Sequence, residues 1–170
     1  YVDEMRLRYG EGSNAWRVRV EGLFREADDD TVIGLELVTS AQSRDITHDR
    51  EAAPVWGLDV ARFGKDASAL CIRQGAVIAD KIKTWRNLDI MKLTGQIKAL
   101  WDESEPNDRP SLVAIDSIGI GAGCADRLRE LGLPVRGVNI SEAPSLKGQY
   151  LNLRAELWFK AKEWLETRAV

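Results

Sequence analysis

Residues 54–85 constrain the chain most. Three apolar stretches, PVWGLDV, SALCIRQ and AVIADKIKTW, follow one another with only short turns between them. Such connections are too short for a return to a parallel neighbour, so the stretches predict an antiparallel meander. The first turn runs from Arg62 to Asp66 and contains Gly64, and Gln74-Gly75 turns the second stretch into the third. The pattern then changes period. In NLDIMKLTGQIKALWDES, Ile90, Leu93, Ile97 and Leu100 or Trp101 recur every three or four residues, which predicts an amphipathic helix capped by Asn87 or Asp89. PSLVAIDSI reads as a buried strand. GIGAGCADRLRELG reads as a turn and a helix with Cys124, Leu128 and Leu131 on one face and Gly132 as its stop. VRGVNI is a fifth strand, and LNLRAELWFKAKEWLE a last helix with Leu153, Leu157, Ala161 and Trp164 or Leu165 inward. The order βββαβαβα joins a meander to strands linked by crossover helices. It predicts an α/β fold with a mixed sheet and helices on its faces.

The first third of the chain is less patterned. EMRLRYGEGSNAWRVRVEGLF reads as a helical or irregular lead-in, a turn, and a short alternating run around Val18 and Val20. Within EADDDT, Asp30 or Thr31 is placed to cap a short helix through Leu35 and Leu37. Residues 40–53 are polar and without period, as in a linker. The expected division is a linker region over 1–50 and a main domain over 51–170.

Asp59 ends the first strand of the main domain and Asp116 the fourth, each after an apolar run and before a glycine-containing turn. In sheets of this kind ligands collect outside the carboxyl ends of the strands. If strands one and four are neighbours, the two carboxylates meet there and repel, and a divalent cation relieves that repulsion. Oxygen ligands without His or Cys favour Mg²⁺ or Mn²⁺ over zinc. Taken singly, either Asp is an ordinary turn former; the pairing at two strand tips carries the metal reading.

Other motifs exclude more than they suggest. GIGAGC has Gly119 and Gly121 where a dinucleotide fingerprint needs them, but Cys124 stands at its third glycine and Asn139 at its acid. Gly64-Lys65 is not a phosphate-binding loop, since Asp66 replaces the Ser or Thr and Asp59 the first Gly. Cys71 and Cys124 are far apart and His48 is the one histidine, which argues against structural zinc and for a reducing, intracellular setting. No apolar run approaches the ~20 residues of a membrane span, and YVDEMRLRYG is not a signal peptide. The net charge of −3 discourages nucleic-acid binding less than it first suggests. Residues 1–50 hold 7 Lys/Arg against 11 Asp/Glu, and residues 51–170 hold 17 against 16. The main domain is therefore modestly basic once any metal-bound acids are set aside. Arg62, Lys65, Lys147 and Arg154 are candidate phosphate contacts, each also an ordinary solvated residue.

GLDVARFGKDASAL, AIDSIGIGAGCADRLRELG, VRGVNISEAP and YLNLRAELWFKAKEWLE resemble, in order and spacing, the nuclease domain of the large terminase subunit of tailed bacteriophages. YGEGSNAWRVRVEGLFREADDDTVIGLELVTSA resembles the region joining that family's packaging ATPase to its nuclease, so the resemblance covers nearly the whole chain. It implies a ribonuclease H-like fold and a metal-dependent endonuclease that cuts concatemeric double-stranded viral DNA with two Mg²⁺ or Mn²⁺ ions. Asp59 and Asp116 match the family's first- and fourth-strand acids, and Asp66 an accessory acid. The family's remaining acid, in a run like DRADAL on a C-terminal helix, has no match here, so the resemblance implies a fragment with an incomplete metal site. The implied partners are a packaging ATPase domain, the small terminase subunit and the portal, in the host cytoplasm and with no membrane. The rivals are a junction resolvase, separable by four-way junction preference, an actin-like ATPase, separable by ATP binding, and a non-catalytic docking module, separable by metal titration.

Overall fold

The computed structural model describes residues 1–9, 16, 19–22, 31–46, 49–61 and 65–166. It forms two compact units, Ile46–Glu156 and Tyr1–Asp45 together with the helix residues from Leu157 onward.

The first unit is a six-stranded sheet with helices. Strand β1 (Val55–Asp59) is central, antiparallel to β2 (Ala67–Gln74) and parallel to β5 (Leu112–Asp116), which pairs in parallel with β6 (Val135–Val138). The far edge of β2 is shared by β3 (Val77–Ile78) and β4 (Lys83–Arg86). Helices α3 (Ile90–Glu103) and α4 (Ile120–Glu130) supply the crossovers, and α5 is Leu153–Glu166.

Residue alternation sorts the sheet into two faces. Trp56, Leu58, Leu70, Val113 and Ile115 are buried with Leu93 and Ile97 of α3 and Cys124, Ala125 and Leu128 of α4, forming one core. Both crossover helices therefore lie on that face. The opposite parity carries small residues, Gly57, Ala69 and Ala114, and it is on this side that a cleft opens. The helix over 90–103 starts where expected: Asp89 accepts a hydrogen bond from the Lys92 amide at 2.7 Å. That bond holds the Asp89 carboxyl below its ordinary range, with the nearby Lys92 charge adding to it.

The predicted third strand is split. Ile78 pairs with Arg73 and Lys83 with Leu70, so four residues, 79–82, face only two on β2. Asp80 causes the excursion: its carboxylate accepts from the Lys81 amide and from Lys83 Nζ, both at 2.7 Å, a local turn that competes with the ladder.

In the second unit, α1 is Val2–Tyr9 and α2 is Leu35–Ser43. Met5 and Trp16 are buried, and Trp16 Nε1 donates to Glu21 at 3.0 Å. The run expected to alternate is helical where it is described: the Val20 amide bonds the Trp16 carbonyl at 2.8 Å, while Val18 lies outside the described residues. Helix α2 is preceded by Gly34, which offers no side-chain cap, and not by Thr31; Asp30 lies outside the described residues. The helix also takes up the first residues of the expected 40–53 linker. On α5, Leu157, Trp158 and Phe159 are exposed and Glu156 is the buried side chain. Three consecutive apolar residues spread around a helix and cannot share one inward stripe.

Candidate metal centre

Leu58 of β1 pairs with Ile115 of β5 in parallel register. Asp59 and Asp116 each come one residue later and point to the face opposite the core. They therefore stand side by side at the carboxyl ends of the two central strands, about one strand spacing (~4.8 Å) apart in backbone. Asp59 pairs with Ala69 on its other side and Asp116 with Val138. Both acids line a cleft of about 430 Å³ with Gly57, Ala69, Cys71, Ile82, Ala114 and Ile140. The small side chains of the floor make room for a ligand.

The two acids are fixed by different means. Asp59 ends a strand with ladders on both sides, and the turn beyond it is tied down where the Ala61 amide donates to Ser68 Oγ at 3.0 Å. Ser68 is itself buried. Asp116 is held by its own loop. Its Oδ1 accepts from the Ile118 amide at 3.0 Å, and Gly119 takes a positive φ of 67° to start α4. Gly121 then lets α4 approach the strand end, since a Cβ there would lie 1.7 Å from the Asp116 carbonyl oxygen. The glycines that failed as a dinucleotide fingerprint thus have a packing reason of their own. The far wall is set by the segment after β6. The Arg154 amide bonds the Ile140 carbonyl at 3.1 Å, and the buried Glu156 carboxylate accepts from the Ser145 amide at 2.6 Å and from the Ser145 hydroxyl.

The other expected ligands and contacts are more scattered. Asp66 and Lys65 are exposed just before β2 and outside the cleft lining. The Lys65 carbonyl accepts from the Arg86 guanidinium. Lys147 and Arg154 are exposed in and after the loop that leads to α5, and Arg62 lies outside the described residues. Sequence reasoning missed Cys71, which pairs with Gly57 and faces the cleft. Its signal was its parity with Ala69. Burial pushes the Cys71 thiol up, only partly offset by Arg73. Among the described residues, no group of three or more His, Cys, Asp or Glu is placed to hold a metal ion. No described helix is long and apolar enough to cross a membrane.

A mixed sheet with paired acids at the tips of its two central parallel strands defines a ribonuclease H-like architecture. Solved structures agree with that assignment. The chain is similar to the nuclease domain of the large terminase subunit gp2 of bacterial virus Sf6, with 19% identity and a TM-score of 0.60. A mutant of that domain with manganese and beta-thujaplicinol gives 20% identity and a TM-score of 0.61. The mutant with calcium gives 19% and 0.60. In each case the match covers 79% of this chain and 64% of the solved one. No protein-family model matches the chain. No curated protein matches it either. The shared fold is that of the terminase nuclease domain.

Proposed function

We propose that the chain is a divalent-metal-dependent endonuclease domain of the large-terminase type, acting on double-stranded DNA. The observation that carries this reading is the side-by-side placement of Asp59 and Asp116 on the open face of the sheet. The donor set suits the cation. The two carboxylates are hard oxygen ligands suited to Mg²⁺ or Mn²⁺, and the sulfur of Cys71, the one in the lining among the described residues, is soft, with its thiol pushed up by burial. Mg²⁺ is commonly held by one or two carboxylates with waters and substrate phosphates completing its shell. Two acids are therefore enough for weak binding that DNA would strengthen.

Bound between the acids, such ions would supply Lewis-acid polarisation of the phosphodiester and an activated water, two ions standing ~3.5–4 Å apart in sites of this kind. The chain's own part is positioning. The ladders and the Ser68 tie hold Asp59, the Ile118 amide and the α4 contact hold Asp116, and the small-residue floor leaves space for the sugar-phosphate backbone. Asp66 is an accessory ligand in this reading, outside the cleft lining and so secondary. Lys65, Arg62, Lys147 and Arg154 are charges on the approaches for phosphates, which need no sequence readout. In a complete terminase the segment over 1–50 would connect to a packaging ATPase, with the small subunit and portal as partners in the host cytoplasm.

Calorimetric titration with Mn²⁺ tests the proposal. Binding should be weak, lost in Asp59→Asn and in Asp116→Asn, and only reduced in Asp66→Ala. Nicking of a supercoiled plasmid in Mn²⁺, however slow, should be lost in the same two variants. Tight Mn²⁺ binding that survives both substitutions would overturn the assignment.

A further inference from the structure

The strand registers place three arginines on the same face as the acids. Arg73 pairs with Val55, two pairs short of the acid row, and donates to the Gly75 carbonyl, whereas Arg86 and Arg136 each stand one pair from that row, one near each edge of the sheet. Counting along the ladders, Asp59 shares its row with Ala69, and Ala69 with Thr84 of β4. Arg86 pairs with Ala67, so it has the parity of Ala69 and stands one pair beyond the acid row. On the other side, Asp116 shares its row with Val138, and Arg136 pairs with Ala114, one pair short of that row. Gly57, Asp59, Ala69, Cys71, Ala114, Asp116 and Val138 of the cleft lining share this parity, while Leu58 and Ile115, which also reach the lining, carry their side chains into the core. Arg86 and Arg136 are both exposed. Arg136 makes no ion pair among the described residues, whereas Arg127 and Arg129 on α4 are paired with Glu130 and Asp126.

The two arginines thus lie at opposite ends of a diagonal whose middle is the acid pair. From β6 to β4 there are four strand spacings of ~4.8 Å and four residues of rise at ~3.3 Å, which gives a diagonal of about 23 Å. At 3.4 Å of axis per base pair along one strand, that is the reach of about seven base pairs. We infer that Arg86 and Arg136 bind backbone phosphates on either side of the scissile position, so that a duplex lies diagonally across the open sheet face, from the β6 edge to the β4 edge, with the acids at its centre. The inference rests on the nuclease reading above and adds to it the path of the substrate. Charge complementarity selects the occupant. An apolar segment would offer no opposite charge to the two exposed guanidinium groups that flank the acids, whereas a duplex offers phosphates to the arginines and, through metal, to the acids. Guanidinium groups suit phosphate by their fork geometry. The Arg86 bond to the Lys65 carbonyl leaves donors over and fixes the side chain.

The test is fluorescence anisotropy of a labelled blunt DNA duplex in Ca²⁺ over a salt series, with Mn²⁺ calorimetry on every variant. Each neutralised phosphate contact contributes about 0.9 to the slope of log affinity against log salt. Arg86→Gln and Arg136→Gln should each lower the slope by about 1, and the double variant by about 2, equally for unrelated sequences. Arg86→Lys and Arg136→Lys should restore most of the slope, because the slope counts neutralised phosphates, and Arg86→Gln, which keeps an N–H donor for the Lys65 carbonyl, should not. Lys92→Gln, on the helix-covered side, should leave it unchanged. Mn²⁺ binding should be unaltered in all of these. If Mn²⁺ binds through Asp59 and Asp116 but both Gln variants keep the parental slope, the DNA path is wrong while the metal site stands. If neither metal nor duplex binds, both fall together. Sedimentation showing a dimer that Arg136→Gln dissociates would assign the face to a second copy and overturn the inference.

Discussion

Gly121→Ala should damage both the fold and the metal centre. The new Cβ would sit 1.7 Å from the Asp116 carbonyl oxygen, against the 3.0 Å that real contacts respect, so α4 and the end of β5 must separate by about 1.3 Å. The clash is with backbone, and no side-chain rotamer relieves it. Overpacking of this kind costs about 1–3 kcal/mol, and the upper end applies where backbone must move. The helix-propensity gain of Ala over Gly, at most about 1 kcal/mol and less in a first turn, offsets only part of it. The net loss is about 2 kcal/mol, or a midpoint lower by about 4–8 °C in a domain of this size. Asp116 moves with its carbonyl, so Mn²⁺ affinity should fall by about tenfold or more, since misplacing a site by 1 Å is costly. Two glycines provide internal controls. A Cβ at Gly95 meets nothing within 4 Å, and one at Gly123 meets Ile90 Cδ1 at an ordinary 3.8 Å. Both lie on helices, so Gly95→Ala and Gly123→Ala should raise the melting midpoint and leave Mn²⁺ binding intact. Thermal melts and Mn²⁺ titration of the three variants decide the matter. If Gly121→Ala melts with the controls and binds Mn²⁺ as the parent does, the close approach of α4 to Asp116 does not exist as described.

Glu156→Ala removes the buried acceptor of the Ser145 amide and hydroxyl; because Ser145 itself is exposed, water replaces part of what is lost, and the cost by urea denaturation should be about 1–2 kcal/mol, with Glu156→Gln, which keeps one acceptor, costing less. Burial pushes the Cys124 thiol up to about 11 from its ordinary 9.0, so the unfolded chain ionises first. The stability this brings is complete below about pH 9 and drains away as the pH rises towards 11, a loss of about 2–3 kcal/mol that Cys124→Ala should remove from the pH profile. The Asp89 cap has the opposite sign. Its carboxyl is lowered in the fold, so its contribution is present above its ordinary 3.8 and fades as the pH falls below that, and the helicity of Asp89→Asn should be less acid-sensitive than the parent's.

Much of the sheet was legible because one face is packed and the other open. Trp56, Leu58, Val113 and Ile115 alternate with Gly57, Asp59, Ala114 and Asp116, and that alternation sets both strand identity and register. The adjacency of strands one and four was inferable only from the crossover order, and the parallel pairing of Leu58 with Ile115 supplies it. The break in the third strand was not legible, because Asp80 looks like any polar residue until its carboxylate is seen bonding the Lys81 amide. On the last helix the periodic positions Leu153, Ala161, Trp164 and Leu165 are half-buried as expected, but Leu157 is exposed and Glu156, one residue earlier, is buried, because a carboxylate that bonds Ser145 takes the inward place that polarity alone would deny it. Arg86 and Arg136 escaped notice because nothing in their local sequence distinguishes them, and their common face appears only once four ladders are counted across the sheet.

The central claim is that Asp59 and Asp116 hold one divalent centre between them. Paramagnetic broadening of backbone amide resonances by substoichiometric Mn²⁺ tests it most directly, because it locates the ion without requiring turnover. The account predicts that amides of residues 58–60 and 115–118 broaden first and together, and that Asp59→Asn or Asp116→Asn abolishes both effects at once. Broadening centred instead on Asp126 and Glu130 of α4, or at only one of the two strand tips with the other acid dispensable, would contradict it.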